Sequence, residues 1–242
     1  MSLAFLTPGE TAIARSPMER EAFSAGALVG WRESWLVAVA FDGPEEKFSA
    51  ETVGFADFSW LAKIEVQATA AELAAIVAIC SDGERLRRGR ATRAGGAWWC
   101  PYTSERALVL CEPGAAAGLR ERLEEAAGAV RGLASVVDVT TAYGALTIVG
   151  PLARELFARF TAIDLRPAVT PVGSFRPGSV ARTPGAILRE ADDRYLMLFG
   201  AALGSYMWTV VADAADSLDG GPVGVDALPS IEEHAAEAGA HA

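Results

Sequence analysis

The densest run of chemically capable side chains is Glu84-Arg85-Leu86-Arg87-Arg88-Gly89-Arg90-Ala91-Thr92-Arg93, which sets five arginines on a chain of net charge −10. Guanidinium pairs bidentately with carboxylate, so the run reads as a clamp for an acidic ligand tail or an acidic partner, or as a solvated loop. Gly95-Gly96-Ala97-Trp98-Trp99-Cys100 follows, and its adjacent indoles can stack on a flat ring or fill a core. Asp57 and Asp138 head two similar tripeptides, Asp57-Phe58-Ser59 and Asp138-Val139-Thr140. They read as paired acids or, more simply, as Asx-type turn residues. Tyr143 beside Gly144, a pair expected in a turn, Arg182 as an anion contact, and Tyr195 complete the candidates.

What the sequence omits narrows the chemistry. The only histidines are His234 and His241, in an Ala/Gly/Glu-rich tail. Serine and cysteine hydrolases that rely on imidazole, and histidine-based zinc sites, are therefore excluded. No phosphate-binding glycine loop is found. Cys80, Cys100 and Cys111 are odd in number and lack C-x-x-C spacing, as expected of reduced thiols in the cytoplasm. The negative charge argues against a nucleic-acid partner. No apolar run is long enough for a membrane helix, and the first residues do not resemble a secretion signal. A cytoplasmic protein is expected, and any chemistry it performs would have to use carboxylates, arginines or backbone groups.

Elements of two periodicities must position these residues. Strands are expected at 35–41, 62–67, 107–111, 145–149 and 195–199. Helices are expected at 68–79, which is nearly all apolar and should be well buried, and at 115–127, 151–160 and about 204–218. The fourth helix would carry Tyr206, Val210, Ala214 and Leu218 along one stripe. Trp31 and Trp35 suggest an extra N-terminal hairpin, and the proline- and glycine-rich stretch 164–185 reads as a long ordered loop. Two anchors recur, Asp57 to Asp138 (138 − 57 = 81) and Arg106 to Arg194 (194 − 106 = 88), each before similar strand and helix patterns. The expected fold class is α+β, with internal repeats at about 51–130 and 132–218 within a domain spanning 1–229, and an acidic tail at 230–242.

The segment Glu51-Thr-Val-Gly-Phe-Ala-Asp57-Phe-Ser-Trp-Leu-Ala-Lys63-Ile-Glu-Val-Gln67 resembles the "VG-x-AD-x-S-x-L-x-K-x-E-V" stretch of glycine-cleavage T-proteins (aminomethyltransferases). Val136 to Phe157 is similar to that family's "D-x-[ST]…GP-x-A-x-x-x-L" stretch. The region from Asp164 through Val211 resembles the second half of the γ subunit of heterotetrameric sarcosine oxidase, and Gly220 to Leu228 the T-protein's closing "G-x-x-P-x-G-x-x-AL" turn. The resemblance covers roughly 15–229. It implies two pseudo-repeated β/α, ferredoxin-like subdomains in a T-protein-like folate-binding fold, without the family's C-terminal β-barrel. It also implies a role in one-carbon metabolism, with tetrahydrofolate as cofactor and Trp98, Trp99, Tyr143, Arg182 and Tyr195 as candidate contacts.

Two departures bear on activity. The family's Gly-Gly-x-x-Asp-Asp is here Gly95-Gly96-Ala97-Trp98-Trp99-Cys100, so the catalytic carboxylate is replaced. The family's Gly-Tyr-Thr-Gly-Glu is also altered: Arg182-Thr183 runs into Pro184-Gly185-Ala186, and Glu190 lies too far along for the usual spacing. Whether the chain is an enzyme is left open. One expectation is a divergent aminomethyltransferase-like domain that binds a reduced folate with lost or weak catalysis. The alternative is a non-catalytic γ-type subunit meeting flavoenzyme subunits, and a homo- or hetero-oligomer fits both.

Overall fold

A strand directs successive side chains to opposite faces, so each sheet needs a cover on both sides. In the computed structural model, which describes residues 14–42 and 52–228, helices and a second sheet supply those covers. The tail expected at 230–242, with both histidines, lies outside the described residues. The chain opens with β1 (Ala14–Arg15), α1 (Glu19–Ser24), β2 (Ala27–Arg32) and β3 (Trp35–Phe41). Next come β4 (Gly54–Asp57), β5 (Ala62–Gln67), α2 (Ala70–Cys80), β6 (Thr92–Ala94), β7 (Ala97–Pro101), β8 (Arg106–Cys111) and α3 (Pro113–Ala129). The remainder is β9 (Ser135–Asp138), β10 (Tyr143–Val149), α4 (Ala153–Ala158), β11 (Phe175–Val180), β12 (Thr183–Ala191), β13 (Arg194–Gly200), α5 (Gly204–Asp216) and β14 (Gly221–Pro222).

The strands form a six-stranded sheet ordered β11-β12-β13-β10-β4-β14, a five-stranded sheet ordered β6-β7-β8-β5-β9, and a small sheet ordered β1-β3-β2. Among the described residues none closes into a barrel. In β8, Ala107, Val109 and Cys111 pack beneath Leu73, Ile76, Leu119 and Leu123 of α2 and α3. Leu108 and Leu110, pointing the other way, meet Ala145, Phe175, Leu188, Leu196 and Leu198 of the six-stranded sheet. The outer side of that sheet offers Tyr195, Met197 and Phe199 to Leu156, Phe157, Met207 and Val211 of α4 and α5. The mixed α+β architecture is thus four layers, helix–sheet–sheet–helix.

Two crossings tie the sheets together. From β4, in the six-stranded sheet, the chain passes through Asp57–Leu61 into β5 of the five-stranded sheet; from β9, in the five-stranded sheet, it passes through Asp138–Ala142 into β10 of the six-stranded one. Asp57 Oδ1 accepts the Ser59 amide at 2.9 Å, and Asp138 Oδ1 accepts the Thr140 amide at 2.9 Å. These are Asx turns. Each turn then seals the opposite strand. Ser59 Oγ accepts the Ala145 amide at 3.2 Å, and Thr140 Oγ1 accepts the Lys63 amide at 3.0 Å.

Several elements differ from expectation. The stretch 164–185 is not wholly loop, since β11 and β12 make a hairpin from within it. Pro177 is tolerated because β11 is an edge strand, and Pro184 because it stands at the start of β12, before that strand pairs with β13. The helix α2 is only half buried: Leu73, Ile76, Val77 and Cys80 face the sheet, while Ala71, Ala74, Ala75 and Ile79 are exposed. In α5 the buried stripe is Met207, Trp208, Val211, Ala214 and Ala215, leaving Tyr206 exposed. Tyr143 and Gly144 belong to β10 rather than to a turn, and Gly144 is needed because the Phe199 ring lies over it: an added Cβ would stand 2.4 Å from Phe199 Cε2. The N-terminal hairpin expected around Trp31 and Trp35 is β2–β3. All three cysteines are free and buried. No helix of the described residues is long and apolar enough to cross a membrane.

Candidate functional site

Gly95 and Gly96 turn the chain between β6 and β7 with φ of +58° and +75°, and Ala94 pairs with Ala97 across them. Two consecutive positive φ values define the tight hairpin turn that favours glycine. That turn sets the alternation of β7. Ala97 and Trp99 face the helices, whereas Trp98 and Cys100 face the layer between the sheets. On the opposite sheet, an irregularity between Arg189 and Ala191 of β12 shifts the register, and Glu190 and Arg194 come together. The crossing segment after β4 adds Phe58 and Trp60.

Phe58, Trp60, Trp98, Glu190 and Arg194 line a cavity of 470 Å³ at one margin of the inter-sheet layer, with Arg93 from β6 beside them. Arg32 of β2 and Asp226 pair across its mouth. Inside, Arg194 Nε donates to Glu190 Oε2 at 3.2 Å, and each side chain is only 4% exposed. Burial pushes the Glu190 carboxyl above its ordinary range; the adjacent Arg194 and Arg93 charges pull it back down, while Glu112 adds to the rise. The Arg194 guanidinium lies 5.7 Å from the Phe58 ring and that of Arg93 5.8 Å from the Trp98 ring, within cation–π range. The indole N–H groups of Trp60 and Trp98 are buried without a hydrogen-bond partner among the described residues.

Glu190, the buried carboxylate, is committed to Arg194. Burial lifts the lining thiol, Cys111, to about 11 and raises Cys100, which lies outside the lining, well above its ordinary range, so both are protonated and weakly nucleophilic at neutral pH. Among the described residues no cluster of His, Cys, Asp and Glu could hold a metal ion.

The family model of the sarcosine oxidase γ subunit matches residues 55–217, more than half of the chain. The chain belongs to the sarcosine oxidase γ subunit family. Its fold is similar to a chain of the heterotetrameric sarcosine oxidase from Corynebacterium sp. U-96, solved in complex with pyrrole 2-carboxylate, at a TM-score of 0.65 and 18% identity, covering 87% of this chain and 98% of that one. It is also similar to the glycine cleavage system aminomethyltransferase T from Bartonella henselae, at a TM-score of 0.71 and 18% identity, covering 94% of this chain but 63% of that one. At such identities the likeness is one of fold. No curated protein matches the sequence.

The residues nominated from this family's resemblance are scattered. Trp98 lines the cavity. Trp99 is fully buried in the helix-side core, its Nε1 donating to the Ala94 carbonyl at 3.1 Å, because alternation turns it away. Tyr195 is likewise fully buried on the helix side, edge-on to Phe157 at 5.5 Å. Tyr143 starts β10 and its hydroxyl accepts from Arg106 at 3.2 Å. Arg182 is exposed in the β11–β12 turn with a φ of +63°. Asp57 and Asp138 are turn residues, as their bonds show.

The cavity also contains residues that sequence reasoning passed over. Glu190 stood too far along in sequence, but the irregularity in β12 brings it to the site. Arg194 is the neighbour of Tyr195, and strand alternation alone would have separated the two faces. Phe58 and Trp60 sit at alternate positions inside the quoted "AD-x-S-x-L" segment, a spacing that could have nominated them.

Proposed function

We propose that this chain is a non-catalytic γ-type subunit of a heteromeric, sarcosine oxidase-like flavoenzyme of the cytoplasm, contributing structure and a ligand pocket. The observation that carries this reading is the family match over 55–217, joined to a cavity whose buried carboxylate is held in an ion pair. The divergent-aminomethyltransferase reading is less well supported, because Trp99 and Cys100, both fully buried, occupy the two positions where the T-protein motif supplies carboxylates. The matched crossings at Asp57 and Asp138, and the parallel sheet orders β7-β8-β5-β9 and β12-β13-β10-β4, support two duplicated ferredoxin-like units beneath the fold.

The cavity suits a flat heteroaromatic ligand bearing a carboxylate, such as a reduced folate. Trp98 and Phe58 would flank the ring, the unpartnered indole N–H groups would meet acceptors, and Arg93 or Arg32 would pair with the carboxylate. A reduced folate there would supply nitrogen atoms able to accept a one-carbon unit; this chain's side chains would orient it and keep water from its ring.

The test of the subunit reading is co-expression with flavin-binding subunits of the sarcosine oxidase type, followed by mass measurement on a sizing column. A stable complex with flavin absorbance that contains this chain is expected; a chain that elutes alone under all salt conditions would overturn the assignment. Calorimetric titration of that complex with tetrahydrofolate tests the pocket separately, and Trp98→Ala should weaken any binding seen at least about tenfold if the indole stacks on the ligand.

A further inference from the structure

A second, wider depression of 890 Å³ runs along the outer side of α2. Its floor is Ala70, Ala74, Ala78 and Leu86, and Arg85 and Arg88 stand at its rim. A helix that is apolar on every side belongs in an interior. Yet the outer face of α2 is open, with Ile79 65% exposed. Directly after the helix, Arg85, Arg87, Arg88 and Arg90 all point to solvent, and none forms an ion pair with another described residue.

This basic segment is held in place rather than loosely draped. The Phe175 amide donates to the Gly89 carbonyl at 3.1 Å and the Ala91 amide to the Gly173 carbonyl at 2.8 Å, so the segment is bonded to the start of β11. Gly89 has a φ of +79°, and a Cβ there would stand 2.7 Å from the Arg176 guanidinium. Like charges concentrated on one exposed segment repel one another, and a carboxylate-bearing surface laid against them would relieve that repulsion. On a chain of net charge −10, nothing among the described residues fills that role. The negative charge disfavours a nucleic acid as the occupant, and the alanine floor beside the arginines calls for apolar as well as acidic groups.

We propose that the α2 groove and the Arg85–Arg90 rim form the docking surface for an acidic, amphipathic segment of a partner subunit. Its apolar side chains lie on the alanine floor, where small residues permit close approach, and its carboxylates meet the guanidinium rim. The inference rests on the subunit reading above.

The experiment measures assembly of the full chain with co-expressed flavin-binding subunits at low and high salt. Arg85→Glu/Arg88→Glu is expected to weaken assembly at least about tenfold at low salt, because like charges would then face each other. A charge-matched control, Arg20→Glu/Arg159→Glu, should leave assembly unchanged. In parallel, an Ala74→Cys variant carrying a photo-crosslinker is expected to capture an acidic segment of a flavin-binding subunit. Normal assembly of Arg85→Glu/Arg88→Glu would overturn the docking surface while leaving the subunit reading intact, and so would capture of a second copy of this chain. Failure of the unaltered chain to assemble would overturn both.

Discussion

At the scale of single residues, position within a strand decides more than residue type. Trp98 and Trp99 are chemically alike, but one faces the cavity and the other is fully buried beneath α2 and α3. Replacing Trp99 with alanine removes a whole buried ring and should cost about 3–5 kcal/mol. Trp98→Ala should cost distinctly less, since its ring borders a cavity already present. Urea denaturation of both variants checks this; equal losses would mean that the two indoles share one environment.

Lys63 gives a residue-scale prediction of a different kind. Its side chain is fully buried, and its ammonium donates to the Ser59 and Leu61 carbonyls at 2.9 and 2.7 Å. Burial lowers its pKa from the ordinary 10.5 to about 7, against the opposing pull of Asp57 and Asp138. Above pH 7 the folded chain has released this proton while the unfolded chain still holds it. The unfolded state then binds more protons, so stability should rise with pH, by at most about 1.4 kcal/mol per unit. The buried Cys100 and Cys111 act oppositely once unfolded thiols ionise above about pH 8.5, because burial keeps the folded thiols protonated. Between pH 7 and 8.5 the unaltered protein should therefore gain stability, and Lys63→Met should not. A slope that survives the substitution would assign it to another group.

At the scale of elements, the two Asx-turn crossings hold the sheets in register. Thr140→Val leaves the buried Lys63 amide without its acceptor and should cost about 1–3 kcal/mol, measurable as a lower denaturation midpoint with an unchanged slope. An effect below about 0.5 kcal/mol would show that water or a backbone shift replaces the bond. The crossings were legible in the sequence as the recurring Asp57 and Asp138 tripeptides, because an Asx turn needs a short acid two residues before the amide it binds. Strands with a dense apolar pattern, such as 145–149 and 195–199, were legible for the same local reason. Other features were not, because the forces behind them are not local. The hairpin β11–β12 is rich in proline and glycine and is held by pairing with β13. Glu190 reaches the cavity only through an irregularity in that pairing, which no spacing rule anticipates. The exposed face of α2 was misjudged for the converse reason: alanine reads as apolar in a pattern, but its burial depends on what lies opposite.

At the scale of the whole molecule, the crossings make the two sheets mutually dependent. The strand β4 precedes β5 in the chain yet pairs with β10, and β9 follows α3 yet pairs with β5. A division after Arg131 would leave β4 without β10 and expose a new edge on β5 where β9 had been. It would also uncover the apolar layer of Leu108, Leu110, Leu196 and Leu198 that now lies between the sheets. Unpaired strand edges and a bared apolar face both oppose stable folding. Neither fragment, residues 1–131 or 132–242, should therefore show cooperative unfolding when prepared alone. Mixing the two should restore near-native circular dichroism and a single transition, since each carries the strand that the other lacks. If either fragment unfolds cooperatively on its own, the sheets are independent units and the crossings merely connect them. If only the mixture does, the stability of one sheet is set by the other, and a partner docking on α2 would act on the entire fold.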